Sequence, residues 1–211
     1  MIVVVDYGMG NLRSVQKGLE KVGQAATVTG DPAAVADADA IVLPGVGALG
    51  DCYAGLESRG LIEPVLAAIG DGRPFLGICV GLQLLFEEGE EGGGAPGLGV
   101  FPGRVVRFPS AKDTGLKVPH MGWNQVVSVE GRHNPLLPQT ERPYMYFVHS
   151  YYAQPSDPAL VLATCRHGVD FAAIVGRDNV LAVQFHPEKS QTDGLKVLKA
   201  FGAFAGGGTR D

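Results

Sequence analysis

The segment GICVGLQ, residues 77–83, sets Cys79 between two glycines, Gly77 and Gly81. It continues the apolar run Pro74-Phe75-Leu76, which reads as a buried strand. Strand, turn and helix around this cysteine match the nucleophile elbow G-x-S-x-G, with Cys in place of Ser. The glycines leave room where strand and helix backbones crowd together. A cysteine at that turn stands at a helix N-terminus, where the dipole favours thiolate. The amide of Val80 would face an oxyanion on the attacked carbon. The competing reading is a small buried hydrophobe, so a nucleophile needs a base within reach.

Five histidines are available, at 120, 133, 149, 167 and 186. His186 stands out. The strand-like run from Val180 to Phe185 leads into His186-Pro187-Glu188. Pro187 restricts His186 to extended backbone and stops the strand. Glu188 is close enough to turn back onto the imidazole and fix its tautomer. Alone, FHPE could equally be a capped strand end beside a solvated acid; together with the elbow, the catalytic reading is the stronger. The order Cys, His, Glu excludes the α/β-hydrolase arrangement, in which the acid precedes the histidine. Papain and caspase signatures are absent around Cys79.

The elements that must position these groups alternate. Ile2–Val5, Ala40–Leu43 and Phe75–Cys79 are apolar, β-rich runs bounded by Gly and Pro. Helical spacing of three and four recurs over Asn11–Val22 and Leu61–Ile69. The expected fold is α/β, flavodoxin-like: a mostly parallel central sheet flanked by helices. The second half predicts an antiparallel portion, with strands at Arg104–Phe108, Gln125–Val129, Tyr144–His149, Leu160–Thr164, Phe171–Val175 and Val180–Phe185. A last helix is expected from Lys189 to Phe204, a glycine-rich acidic loop at 87–99, and a flexible tail at 206–211. Residues 1–205 are expected to form one domain.

Composition narrows the partners. With 45% hydrophobic residues, a net charge of −5 and no long Lys/Arg cluster, the chain suits a globular protein that does not bind nucleic acid. No apolar stretch is long enough to span a bilayer, and the N-terminus lacks a signal-peptide pattern, so a cytoplasmic protein is expected. Three widely spaced cysteines, at 52, 79 and 165, argue against a disulfide framework, and no CxxC pair suggests zinc. No metal and no cofactor are expected. Gly45-Val46-Gly47-Ala48-Leu49-Gly50 fits G-x-G-x-x-G, but it follows a later strand behind Pro44, out of place for a dinucleotide fingerprint.

GICVGLQ combined with FHPE resembles the class I, or triad, glutamine amidotransferases. The resemblance implies that Cys79 attacks the glutamine side-chain amide. His186 then acts as base and as acid to the departing ammonia, and Glu188 orients it. A glutamyl thioester forms and is hydrolysed. Leu43-Pro44-Gly45-Val46-Gly47 resembles the family's oxyanion strand, whose amides complement that of Val80. Gln83, one turn after Cys79, is placed to contact substrate, or lies on a plain helix surface. His149, Ser150 and Tyr151 resemble the segment that holds the α-amino and α-carboxylate groups; His149 could instead be a satisfied strand-end histidine.

DYGMGN (residues 6–11), PHMGWN (119–124) and YFVHSY (146–151) are similar to the glutaminase subunits of imidazole glycerol phosphate synthases, in histidine biosynthesis. That resemblance covers nearly the whole chain. It implies a heterodimer with a (β/α)8-barrel cyclase, internal transfer of ammonia, and little glutaminase activity in the chain alone. The coupled products would be imidazole glycerol phosphate and aminoimidazole carboxamide ribotide. Asn11, Met121, Trp123 and Lys189 are interface candidates, although Trp123 could fill its own core and Lys189 could be a surface residue. Two rivals stand. A γ-glutamyl peptidase or another class I glutaminase would share the triad, and the peptidase would need no partner. A non-catalytic thiol sensor would need Cys79 but not His186.

Overall fold

A computed structural model of the chain describes residues 1–110, 112, 115 and 117–207. Its central sheet runs in the order β2 (Ala26–Thr29), β1 (Ile2–Val5), β3 (Ala40–Gly45), β4 (Phe75–Cys79), β14 (Val180–Val183), β13 (Val169–Arg177), β12 (Val161–His167), β9 (Val127–Ser128). The pairs from β2 through β14 are parallel. Those from β14 through β9 are antiparallel. The expected α/β architecture, parallel first and antiparallel later, is therefore present in one continuous sheet.

Every residue of β1, β3, β4 and β14 is buried, which explains why these strands read as unbroken apolar runs. Helices cover the sheet. α1 (Leu12–Lys21) buries Val15, Gly18 and Leu19, and the C-terminal α6 (Gln191–Gly206) buries Val197, Leu198 and Phe201. The two helices touch closely: a Cβ on Gly18 would lie 2.6 Å from the Leu198 side chain. α2 (Pro32–Ala36), α3 (Leu49–Ser58) and α4 (Ile62–Gly70) complete the helical layers, and α5 (Val80–Gln83) follows Cys79.

Two smaller sheets flank this body. β8 (His120–Gln125) and β10 (Tyr144–His149) form an antiparallel ribbon. β11 (Tyr151–Pro155), β7 (Gly103–Arg107), β5 (Glu88–Gly89) and β6 (Ala95–Pro96) form the other.

Several expectations are corrected. The segment 87–99 is not simply a loop: β5, a 3-10 turn at Glu91–Gly93 and β6 fold it against β7. The strand expected at Gln125–Val129 is the end of β8, a break, and the short β9, while PHMGWN itself supplies most of β8. The last helix starts at Gln191, because Pro187–Lys189 form a separate 3-10 turn. α3 begins inside the glycine-rich GVGALG segment. Of the expected tail, Gly206 ends α6, and 208–211 lie outside the described residues.

Candidate active site

The register of the parallel strands assembles the site. β3 aligns Gly45 with Cys79, and β14 aligns Val183 with Ile78. The residues that follow β14 therefore emerge beside the cysteine, at the carboxyl ends of the strands where α/β folds bind ligands. Cys79 has φ 57° and ψ −108°, a conformation that costs a non-glycine residue about 1–3 kcal/mol. This is the sharp turn of an elbow, and the neighbouring glycines make it possible. A Cβ on Gly77 would lie 2.6 Å from the Gly81 carbonyl oxygen, and one on Gly81 would lie 1.8 Å from that of Leu43. α5 is a single turn, so the dipole at Cys79 comes from a few peptides, less than the sequence suggested.

His186 sits at the mouth of β14 with extended backbone, φ −99° and ψ 97°, as Pro187 requires. Its Nδ1 donates to Glu188 Oε1 over 2.8 Å, and both side chains are almost completely buried. That bond leaves Nε2 as the nitrogen available to the thiol, and Nε2 has no other hydrogen-bond partner. Burial opposes the imidazolium, but hydrogen bonding to Cys79 and Glu188, and then their charge, outweigh it and raise the His186 pKa to about 10. The loop is tied down as well: Ser190 Oγ donates to the His186 carbonyl and accepts from the Tyr146 amide.

A cleft of about 660 Å³ opens over these groups. Cys79, Val80 and His186 form its floor, with Val46, Gly47 and Ala48 on one wall and Val148 to Tyr151 on another. The expected oxyanion and substrate segments thus meet at the thiol. Gly45 lies just beneath, packed so closely that a Cβ would come within 2.8 Å of Val80. A larger groove, about 1030 Å³, lies by Met1, Asp71 and Arg73 and contains no cysteine or histidine, so the smaller cleft is the chemical one. The other two thiols are held inert by burial, which raises the pKa of Cys52 and pushes Cys165 up to about 12.

Two expected contact residues have internal partners. Gln83 is buried, and its amide nitrogen donates to the Tyr151 carbonyl and to Gln184 Oε1. Both ring nitrogens of His149 are engaged, one with His120 and one with the Tyr151 carbonyl. Ser150 and Tyr151 remain open to the cleft. Asn11 reaches the His186–Glu188 pair, donating to Glu188 Oε1 over 3.2 Å. Lys189 borders the cleft and lies over the Tyr146 ring, 5.8 Å from its centroid. Met121 and Trp123 stand exposed on the ribbon, at 63% and 46%.

Two residues of the site were missed in the sequence. Glu91 borders the cleft and accepts the Leu49 amide over 3.0 Å, although it lies in the 87–99 segment. Gln184, fully buried, places Nε2 3.7 Å from Cys79 Sγ. Among the described residues, no group of three His, Cys, Asp or Glu side chains is placed to hold a metal ion, and no helix is long and apolar enough to cross a membrane.

The chain is similar to known proteins. The family described as Glutamine amidotransferase class-I matches residues 3–203. The imidazole glycerol phosphate synthase subunit HisH of Syntrophotalea carbinolica is 58% identical over 206 residues, covering 96% of this chain and 99% of that protein. The subunit of the same name from Methanothermobacter thermautotrophicus is 52% identical, covering 95% and 97%. Among solved structures, a glutamine amidotransferase superposes with a TM-score of 0.74 at 23% identity, covering 97% of this chain and 98% of its own. PurLQS from Thermotoga maritima superposes with a TM-score of 0.72 at 21% identity, covering 95% of each chain. These two establish the likeness of fold, while the match over residues 3–203 reaches further: the chain belongs to the class I glutamine amidotransferase family.

Proposed function

We propose that this chain is the glutaminase subunit of an imidazole glycerol phosphate synthase, working in the cytoplasm as one amidotransferase domain over residues 1–205. It hydrolyses glutamine to glutamate and ammonia and passes the ammonia to a (β/α)8-barrel cyclase for histidine biosynthesis. The observation that carries the reading is the His186–Glu188 pair, 2.8 Å apart and buried, beside a cysteine on a strained elbow.

In the first half-reaction the Cys79 sulfur adds to the side-chain carbonyl carbon of glutamine, and its proton resides on His186 Nε2. Negative charge collects on the carbonyl oxygen, and the amides of Val80 and of the Gly45–Gly47 segment receive it. His186 then gives its proton to the amide nitrogen, the C–N bond breaks and ammonia leaves. In the second half-reaction His186 takes a proton from water as the hydroxide oxygen adds to the thioester carbon. Collapse releases glutamate, and the proton returns to sulfur. Glu188 stays ionised and holds the ring. Ser150 and Tyr151 hold the substrate's α-amino and α-carboxylate groups. Gln83 and His149 support that wall through the Tyr151 carbonyl.

The ribbon of β8 and β10 is the docking face for the cyclase. Met121, Trp123 and Tyr144 are large, apolar and exposed there, with Lys189 and Asn11 at the adjoining rim of the cleft. The test is glutamate release from glutamine by the chain alone, by the chain with the cyclase and its nucleotide ligand, and by Cys79→Ala in the same complex. Release that needs the partner and disappears in the variant supports the reading; no release in any sample overturns it.

A further inference from the structure

Gln184 lies one residue past the apolar strand β14 and is completely buried, a costly place for an amide unless each polar atom is used. Its two ends are fixed by what surrounds them. The Tyr151 carbonyl is an acceptor only, so the Gln83 group 3.1 Å from it is the nitrogen. That nitrogen also donates over 3.2 Å to Gln184, whose facing atom is therefore the oxygen. The Gln184 nitrogen is left pointing at Cys79 Sγ, 3.7 Å away.

The same carbonyl fixes a second branch. His149 Nδ1 lies 2.8 Å from it and must carry the proton. His149 Nε2 is then an acceptor, and His120 Nδ1, 2.9 Å away, is its donor. His120 Nε2 accepts in turn from Asn124 Nδ2 over 3.1 Å, and that nitrogen is identified by its second bond, to the Arg166 carbonyl. Both imidazoles are kept neutral by burial, as this pattern requires. One hydrogen-bonded series with a single allowed polarity thus joins Asn124 on the exposed ribbon to the nucleophile.

We propose that Gln184 is a positioning residue for the Cys79 thiol, and that its aim is set from strand β8 through His120, His149, the Tyr151 carbonyl and Gln83. An N–H aimed at sulfur stabilises negative charge on it and holds the attacking atom in one rotamer. A shift of β8 on docking is transmitted to the sulfur along these bonds. The inference rests on the glutaminase reading for its activity readout, but not for its chemical one.

The experiment uses the complex with the cyclase and its nucleotide ligand. Wild type, Gln184→Met, Gln184→Glu and His120→Phe are compared by steady-state glutamate release and by the rate at which iodoacetamide alkylates Cys79, read by mass spectrometry of its peptide. Gln184→Met is expected to lower kcat about tenfold, with KM within about twofold, and to slow alkylation in parallel. Gln184→Glu matches the amide in volume and puts a carboxylate against sulfur; it is expected to fall at least as far, and it serves alone if the Met variant does not fold. His120→Phe is expected to lower both rates about threefold from a distance. Both rates within about twofold of wild type in the Gln184 variants would overturn the positioning role. Unchanged rates in His120→Phe would overturn the control from β8. Alkylation that depends on Gln184 in a complex that releases no glutamate would support the positioning and sink the glutaminase reading instead.

Discussion

Asn11 and His186 share one oxygen: Glu188 Oε1 accepts the histidine Nδ1 at 2.8 Å and the asparagine amide at 3.2 Å, while Glu188 Oε2 is buried without a partner. A carboxylate held on one side only can swing unless its second donor restrains it. Asn11 supplies that donor from just ahead of α1, across 177 residues of chain. Replacing Asn11 by Ala is expected to lower kcat for glutamine hydrolysis about tenfold, the worth of one bond to a charged acceptor, and to leave KM nearly unchanged. Steady-state kinetics of the complex check this. A variant with a wild-type kcat would show that His186 alone holds the glutamate.

The elbow tolerates no side chain at Gly81, because a Cβ would meet the Leu43 carbonyl oxygen at 1.8 Å. Backbone must move to admit it. Gly81→Ala is expected to destabilise the fold by about 3 kcal/mol or more and to abolish activity. Gly70→Ala, at the end of α4 where a Cβ meets nothing within 4 Å, is expected to change stability by less than about 1 kcal/mol. Urea unfolding of both variants makes the comparison.

The grouping of Cys79, His186 and Glu188 was legible because its signals are local. Cys79 announces itself by flanking glycines, and His186 and Glu188 by a proline between them. The buried parallel strands were legible for a different reason, since burial on both faces leaves an apolar run with no alternation to misread. Gln184 was not legible. It lies one residue past a strand, and its purpose depends on Gln83, 101 residues away. β8 was hidden because its residues are polar or exposed along most of its length, so its strand character comes from pairing with β10 rather than from its own pattern. α3 was hidden by the glycines at its start, although Leu49, Cys52 and Leu56 do recur at helical spacing.

Acid should unfold this protein through its buried histidines. Burial lowers His120 to about 4 and His149 to about 3. Below about pH 6.5 the unfolded chain takes up protons that these folded imidazoles refuse, so stability falls as pH drops from there toward 4 and then 3. His186 has the opposite sign. Its folded pKa, about 10, is raised, so its contribution is complete below about pH 6.5 and is lost as pH climbs through 10. Urea midpoints are therefore expected to be highest near neutral pH and to decline on both sides. His149→Gln should flatten the acid limb specifically, since one of the refusing groups is gone.

Trp123 distinguishes a docking face from a core. Its ring is 46% exposed and meets Tyr146 edge-on at 6.1 Å between centroids, so it fills no interior of its own. Met121 and Tyr144 stand exposed on the same ribbon, at 63% and 56%. Removing a half-exposed indole should leave the melting temperature of the isolated chain nearly unchanged, because little packed area is lost. If the ribbon seats the cyclase, Trp123→Ala should weaken the complex by about 2 kcal/mol, roughly thirtyfold in Kd, as truncation of a central aromatic anchor does. Isothermal titration of the two subunits, run beside a melting curve of the variant alone, reads both quantities. A lowered melting temperature with unchanged Kd would move Trp123 into the fold and move the docking face elsewhere. An unchanged melting temperature with weakened binding would place the cyclase on β8, the strand where the hydrogen-bonded series to Cys79 begins.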